Sequence, residues 1–427
     1  MTPGRTPTVP VWLFSLGVAA SVFSGHSGEL GLPIGLDRLL ILAAVMAMGL
    51  RVPLFGTGHR RTLTPRAFAL AALLCVVVTA AVLSALWAGT LTDHEPQFAL
   101  LDRLGIVPFL AFMLAPRLFR TDRERDVLLV VLVGLGLYLG LTAVLEGIGA
   151  DALVFPRYIT DPHLGLHAER ARGPFLEAVP NGFALFACAV VGVLAAARWR
   201  GIPRALALVA VVLCAVGIVF TLTRSVWLAA VLGSLAALAM HGRTRRWIVP
   251  GAAVGAVLVV GLLAIVPGLA GSTSDRANDQ RPVWDRLNSN AAALRMVDER
   301  PLAGFGWYRF LEASPTYYRQ SDAYPLTGVG VYVHNAFLSN AVELGVPVTL
   351  LWIAALVAAL AAALSGRASP AEAPWRLALV AIAVSWLVVA NFTPMGYAFP
   401  HLLLWTWAGV VWARVQGRSA PLRLATA

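Results

Sequence analysis

Apolar stretches of roughly 17–25 residues recur along the whole chain, and each can cross a hydrocarbon core of ~30 Å as a helix. They fall at about residues 10–25, 34–52, 66–88, 99–116, 127–149, 179–197, 205–221, 225–240, 247–270, 336–364, 376–392 and 398–413. A chain so patterned predicts an all-α integral membrane protein with about 12 transmembrane helices. The composition agrees, because 59% of the 427 residues are hydrophobic and only 13% are charged, far from a soluble globular balance. Residues 1–25 have a weakly basic start and an apolar run, read here as an uncleaved anchor because twelve spans require it.

The net charge of +11 is carried by arginine alone, since no lysine occurs among the 33 basic residues. A Walker A loop, a Schiff-base enzyme and a Ser–Lys dyad all need lysine, so these chemistries are excluded. With the N-terminus in the cytoplasm, 20 of the 33 arginines fall in cytoplasmic segments. The short outer segments near 26–33, 89–98 and 393–397 hold none. That is the positive-inside pattern, and it also places the C-terminus in the cytoplasm. Nucleic acid is not needed to explain the basicity. Cys75, Cys188 and Cys214 lie in apolar spans, where cysteine acts as a small hydrophobe.

The spans divide the chain into three parts. Residues 1–270 hold nine transmembrane helices and a smaller outer loop at about 150–178. Residues 271–335 form one large outer loop, and residues 336–427 hold three further helices and a cytoplasmic tail. The large loop carries seven arginines and seven acids, so it presents no general cationic surface. Pro282 precedes a predicted helix running to about Arg300. There Trp284, Leu287, Ala291, Leu294 and Val297 make one apolar stripe, suited to the membrane surface or to the top of the bundle. Beyond Gly304 and Gly306 come Trp307, Tyr308, Phe310, Tyr317, Tyr318, Tyr324 and Tyr332, which suit either a lipid interface or sugar rings.

Ionisable residues inside spans are costly and mark partners or cavities. Asp37–Arg38 and Asp102–Arg103 are expected to neutralise each other as neighbours, and Glu146, Arg224 and Glu343 complete the set. Arg224 sits in Thr221-Leu222-Thr223-Arg224-Ser225, a break that reverses the chain at the outer face. There it either snorkels to headgroups or aims its guanidinium at a phosphate. His334 is the last polar residue before a helix enters the membrane, where an imidazole suits proton transfer near neutral pH. Glu343, nine residues on, is too far for a hydrogen bond to that ring and is expected to hold the helix in place. His163 and His167 are spaced for a metal only on a regular helix, which Pro162 and Gly165 oppose, and Asp93-His94-Glu95 is a single short match, so no metal site is expected.

Thr221, Thr223, Arg224, Arg286, Pro301, Gly304, Gly306, His334, Asn335, Glu343 and Gly345 follow in order over about 125 residues. The combination resembles the O-antigen ligase/polymerase superfamily, whose pattern joins a Thr-x-(Ser/Thr)-Arg turn, a Pro-Leu-x-Gly-x-Gly element, His-Asn at a helix start and Glu-x-Gly. The resemblance implies a GT-C-like, metal-independent and ATP-independent inverting glycosyltransferase of the bacterial inner membrane, acting at the periplasmic face without a cofactor. Its donor would be a glycan on undecaprenyl diphosphate, and a ligase would pass it to a sugar hydroxyl of lipid A–core, giving lipopolysaccharide. His334 then corresponds to the base, and Arg224 and Arg286 to diphosphate-contacting residues. Arg170 and Arg172 extend the diphosphate set, while Asn335, Glu343 and Asn181 support the site. Membrane lipids are the remaining partners. A polymerase of the same superfamily is the alternative. A solute transporter is a third reading, but it predicts polar or broken helices near the midplane.

Overall fold

The computed structural model is all-helical, with no strand among the described residues, which are 8–49, 65–240, 242–265, 271, 278–366 and 368–419. In chain order the main helices are α1 (Val9–Ala20), α2 (Leu36–Gly49), α3 (Pro65–Trp87), α4 (His94–Ala99), α5 (Ile106–Leu118), α6 (Asp122–Gly147) and α7 (Ala178–Arg198). They continue with α8 (Gly201–Phe220), α9 (Arg224–Ala239), α10 (Ile248–Ile265), α11 (Arg281–Glu299), α12 (Ala336–Leu344), α13 (Val346–Leu364), α14 (Ala373–Ala390) and α15 (Ala398–Ser419). Among the described residues, eight helical segments are long and apolar enough to cross a membrane: Val9–His26, Ala67–Trp87, His94–Leu118, Asp122–Gly147, Ala178–Arg198, Gly201–Phe220, Val346–Leu364 and Ala373–Ala390. The other four apolar stretches are helical too, as α2, α9, α10 and α15. The protein is a multi-pass helical membrane protein. Part of the large loop (272–277), the tail beyond 419, and Arg5, Arg51, Arg60, Arg61, Arg367 and Arg423 lie outside the described residues.

Between apolar helices in lipid, close backbone approach replaces the hydrophobic drive, so small residues mark the contacts. On α6, a β-carbon at Gly140 would stand 2.7 Å from Leu213 Cβ and 2.9 Å from the Cys214 amide of α8. At Gly233 of α9 it would stand 2.7 Å from the Ala381 carbonyl of α14. The strongest helix pairs accordingly include α6 with α8 and α9 with α14, alongside α5 with α15. Aromatic side chains fill the middle: Phe337, Trp352 and Trp386 meet with ring centres 5.7–6.3 Å apart.

One expectation changes and one is narrowed. The stretch 336–364 is not one helix but two, α12 and α13, parted at Gly345, where φ is 81° and ψ is 161°. In α11 the inward face is Asn288, Ser289, Ala292, Ala293 and Met296, not the apolar stripe. Leu287 and Leu294 of that stripe stay exposed, and small side chains take the contact because they allow α11 to lie close against α12. Asn288 then uses its amide at Trp284 O (3.0 Å) and Pro325 O (2.9 Å), holding the rest of the loop to the helix.

Candidate active site

The chain turns between α8 and α9 through Leu222, whose φ of 47° lies in the left-handed region, and Thr223 Oγ1 donates to Thr221 O at 2.7 Å. Arg224 is therefore the first residue of α9, at a helix N-terminus whose amides point outward and carry partial positive charge. Its Nη2 donates to Asp279 O at 3.1 Å, which ties this end of α9 to the start of α11. From α11, Arg286 lays its guanidinium 5.5 Å from the ring centre of Phe392 in the α14–α15 connection. Burial lowers the Arg286 pKa, and the nearby charge of Arg224 lowers it further, against Asp285. The Arg224 charge thus acts on Arg286, and an anion at this helix N-terminus would relieve it.

His334 stands beside them. Burial pushes its imidazole below the ordinary 6.5, and the charge of Arg286 pushes it further, while Asp285 and the Tyr332 backbone oppose. The ring is thus kept neutral at pH 7, the form that accepts a proton. Its Nδ1 is buried with no hydrogen-bond partner among the described residues. Arg224, Arg286 and His334, far apart in sequence, come to one end of the bundle.

The segment after His334 is held with unusual thoroughness. Asn335 caps α12, its Oδ1 accepting from the amides of Phe337 and Leu338 at 3.0 Å each, and its Nδ2 donates to Asn391 Oδ1 at 3.2 Å. At the other end of α12 the break at Gly345 frees two carbonyls, and the Pro301–Gly306 element takes them. Phe305 N donates to Val342 O at 2.8 Å and Gly306 N to Glu343 O at 3.0 Å, while Val346 N returns to Pro301 O at 2.8 Å. The glycines make this clasp possible. A β-carbon at Gly304 would meet Val342 O at 2.6 Å, and one at Gly345 would meet Leu302 O at 2.1 Å. The Pro-Leu-x-Gly-x-Gly and Glu-x-Gly motifs are two halves of one joint.

Glu343 is fully buried and pairs with Arg103, whose guanidinium also sits 4.4 Å from the Trp307 ring centre. This corrects the expected pairing of Arg103 with Asp102, whereas the expected Asp37–Arg38 pair is present. Residues Leu100–Leu104 form a π turn, which brings the adjacent Asp102 and Arg103 both into the protein. Asp102 pairs with Arg38, which also lies 3.3 Å from Asp37, so Arg103 is left to Glu343. Trp352 Nε1 donates to Leu104 O at 2.9 Å and closes the turn.

The loop ahead of α7 behaves differently from expectation. Arg172, read as a diphosphate contact, is turned into the protein and is 1% exposed. Its Nε donates to Ile159 O at 3.1 Å, and its two Nη groups donate to the carbonyls of Leu164 and Asp161. Its backbone amide donates to Glu146 Oε1 at 3.1 Å, and burial lowers the guanidinium pKa. Such a side chain is occupied by its own fold. Arg170 lies 3.7 Å from Glu169 and is largely buried. Asn181 donates from Nδ2 to Ala171 O at 3.0 Å, and Ala171 N donates to Phe220 O at 3.0 Å, so this loop braces the turn before Arg224.

Sequence reasoning missed Phe392 and Asn391, which sit under Arg286 and Asn335; nothing in their local sequence distinguishes them. It read Arg103 as Asp102's partner, although the adjacent charges were visible. An apolar groove of about 370 Å³ opens at the foot of Asn335, lined by Phe337, Leu338, Ala341, Val346 and Leu350 among others. Among the described residues no three His, Cys, Asp or Glu side chains gather as a metal site would need.

The fold and site define a multi-pass helical membrane protein with a cationic, histidine-bearing site at one end of its bundle. Residues 209–353, about a third of the chain, match the family model described as O-antigen ligase. The matched segment runs from α8 into α13 and contains Arg224, Arg286, His334, Asn335 and Glu343, and it supports the resemblance to the O-antigen ligase/polymerase superfamily. No curated protein matches the chain.

Proposed function

We propose that the protein is an O-antigen ligase: an inverting glycosyltransferase of the bacterial inner membrane, acting at the periplasmic face with both termini cytoplasmic. It moves a glycan from undecaprenyl diphosphate to a sugar hydroxyl of lipid A–core, and needs neither metal nor ATP. The observation that carries this reading is the meeting of His334, held toward its neutral form, with Arg286 and Arg224 at the start of α9.

The chemistry follows from those groups. The acceptor oxygen attacks the anomeric carbon from the face opposite the diphosphate, which inverts that carbon. The hydroxyl proton passes to His334 as the new C–O bond forms. The bond from the anomeric carbon to the diphosphate oxygen breaks, and its electron pair leaves on undecaprenyl diphosphate. The charge that grows there meets Arg224, Arg286 and the first amides of α9. Planar guanidinium forks suit two phosphate groups better than a point charge does. The clasp on α12 keeps His334 in place, since a proton acceptor must lie within hydrogen-bond reach of the hydroxyl it serves. The apolar groove beside Asn335 supports approach of a lipid chain from the bilayer.

The test is transfer by the purified protein, supplied with undecaprenyl-diphosphate glycan and lipid A–core, with and without a chelator. Capped lipid A in both conditions is expected. Elongated lipid-linked glycan without capped lipid A would replace this reading with that of a polymerase. Activity lost on chelation and restored by metal would end the claim of metal independence.

A further inference from the structure

The large loop brings two tyrosines and a carboxylate to the segment that carries His334. Tyr308 and Tyr332 lie with ring centres 6.1 Å apart at 60°, and Tyr308 Oη donates to Glu95 Oε2 at 3.0 Å. Tyr332 is two residues from His334, so their α-carbons are at most ~7 Å apart. Val333 between them is fully buried, whereas Tyr332 and His334 are only part-buried. Tyr308 is also firmly presented. Its neighbour Trp307 is fully buried and donates from Nε1 to Pro96 O at 3.0 Å, and Thr90 Oγ1 donates to Trp307 O at 3.0 Å.

We propose that Tyr308, Tyr332 and Glu95 form a subsite for an uncharged pyranose ring of the acceptor, next to His334 and apart from the arginine pair. This rests on the transferase reading given above. A pyranose offers C–H groups on its faces and hydroxyls around its edge. The Tyr332 ring and the side of Tyr308 away from Arg103, whose guanidinium lies 5.9 Å from the Tyr308 ring centre, take the first, and a carboxylate and phenols take the second. Charge separates this flank from the other. The charged groups that act on Tyr332 are Arg103, Glu343 and Glu95, of which Arg103 is already paired with Glu343. Those that act on His334 are Arg286 and Asp285. An exposed carboxylate disfavours a diphosphate at the tyrosine flank and accepts hydrogen bonds from neutral hydroxyls there. Burial pushes both phenols up, so each keeps its proton, and Tyr308 gives its own to Glu95, which leaves Glu95 Oε1 and the phenol oxygens to accept from sugar hydroxyls. Glu95 belongs to an acidic motif with no other assigned work.

The test uses the full-length protein in nanodiscs, dephosphorylated core oligosaccharide as the binding probe, and undecaprenyl-diphosphate glycan as donor. Glu95→Ala changes an exposed side chain, and Tyr332→Ala removes a stacking face; thermal melting checks that both fold. Each is expected to raise the acceptor KM about tenfold, to weaken oligosaccharide binding by a similar factor without donor, and to leave the donor KM unchanged. Tyr332→Phe should keep most of the binding. Oligosaccharide affinity unchanged in folded Glu95→Ala, or a donor KM that rises as much as the acceptor KM, would overturn the subsite. If wild-type protein binds the oligosaccharide, Glu95→Ala loses it, and no transfer occurs, the transferase reading fails while the sugar site stands. Transfer that is intact in Glu95→Ala with binding unaltered gives the reverse.

Discussion

Gly345 joins α12 to α13 with φ 81° and ψ 161°, a backbone region that residues bearing a β-carbon hardly enter. A β-carbon there would stand 2.1 Å from the Leu302 carbonyl oxygen and 2.6 Å from its carbon, both backbone atoms that no rotamer change can move. Ordinary contact begins at 3.4 Å, so Gly345→Ala must open the clasp by about 1.3 Å, the difference between those two distances. The dihedral strain alone is about 1–3 kcal/mol. The displacement then travels along α12, about 13 Å of helix, to Asn335 and His334. A misplacement near 1 Å in a reacting group costs about 100-fold in rate. Gly345→Ala is therefore expected to lower turnover about 100-fold, while donor affinity stays within about twofold because Arg224 and Arg286 stand on α9 and α11. Gly330→Ala is the control: its φ of 76° is also positive, but nothing lies within 4 Å of its β-carbon. The assays are single-turnover transfer, donor binding by intrinsic fluorescence, and thermal melting in detergent. Wild-type turnover in Gly345→Ala, or a loss no greater than that of Gly330→Ala, would refute the claim that the clasp positions His334.

Because His334 must be neutral to accept a proton and its pKa is lowered, kcat/KM should be flat near pH 7 and fall tenfold per unit below a pKa under 6.5. Arg286→Gln removes a cation that disfavours the imidazolium, so the acid limb of the residual activity should move to higher pH; a limb that stays put would separate the two residues. Arg224→Lys keeps the charge and loses the planar fork, and a drop of at least tenfold in kcat/KM is expected, whereas full activity would point to charge alone. Arg172→Gln leaves three carbonyls short of donors, so it should destabilise the protein by roughly 3 kcal/mol, read as a lower melting temperature. Donor affinity of the folded fraction should not change; a selective loss of donor binding would return Arg172 to the site.

The helices were legible because lipid leaves long apolar runs little choice, and hydropathy reads such runs directly. The break inside 336–364 was not, since averaging over the span hides a single Gly345, although Pro347 two residues on is a local signal that a helix restarts there. The Asp102–Arg103 pairing was misread for a geometric reason: only the π turn points both residues inward, and sequence does not announce a π turn. Of the two seats open to the α11 stripe, packing on the bundle is the one not taken, because the contact with α12 is made by Asn288, Ser289, Ala292, Ala293 and Met296, which leaves Leu287 and Leu294 outside. His334, Arg224 and Arg286 were legible through their order within a wider pattern. The clasp was visible as letters, but its meaning depends on two carbonyls that become available only once Gly345 interrupts the helix.

The absence of lysine sharpens the separation of structural from chemical cations. Arginine must here do every cationic task, so type alone distinguishes nothing, and what fills each guanidinium becomes the criterion. Arg172 gives its side chain to three carbonyls, Arg376 gives its Nη groups to Leu364, Ser365 and Gly366 at the end of α13, and Arg103 is spent on Glu343. Those three close off backbone or carboxylate oxygens that would otherwise be buried unpaired. Arg286 instead has another cation, Arg224, as the strongest charge acting on it, and that charge disfavours its own. Arg414 has Arg125 in the same position, but Asp122 lies 2.7 Å from it and answers that charge. An anion at the Arg224–Arg286 end of the bundle would do the same for Arg286, and the proposed diphosphate contact stands on that repulsion.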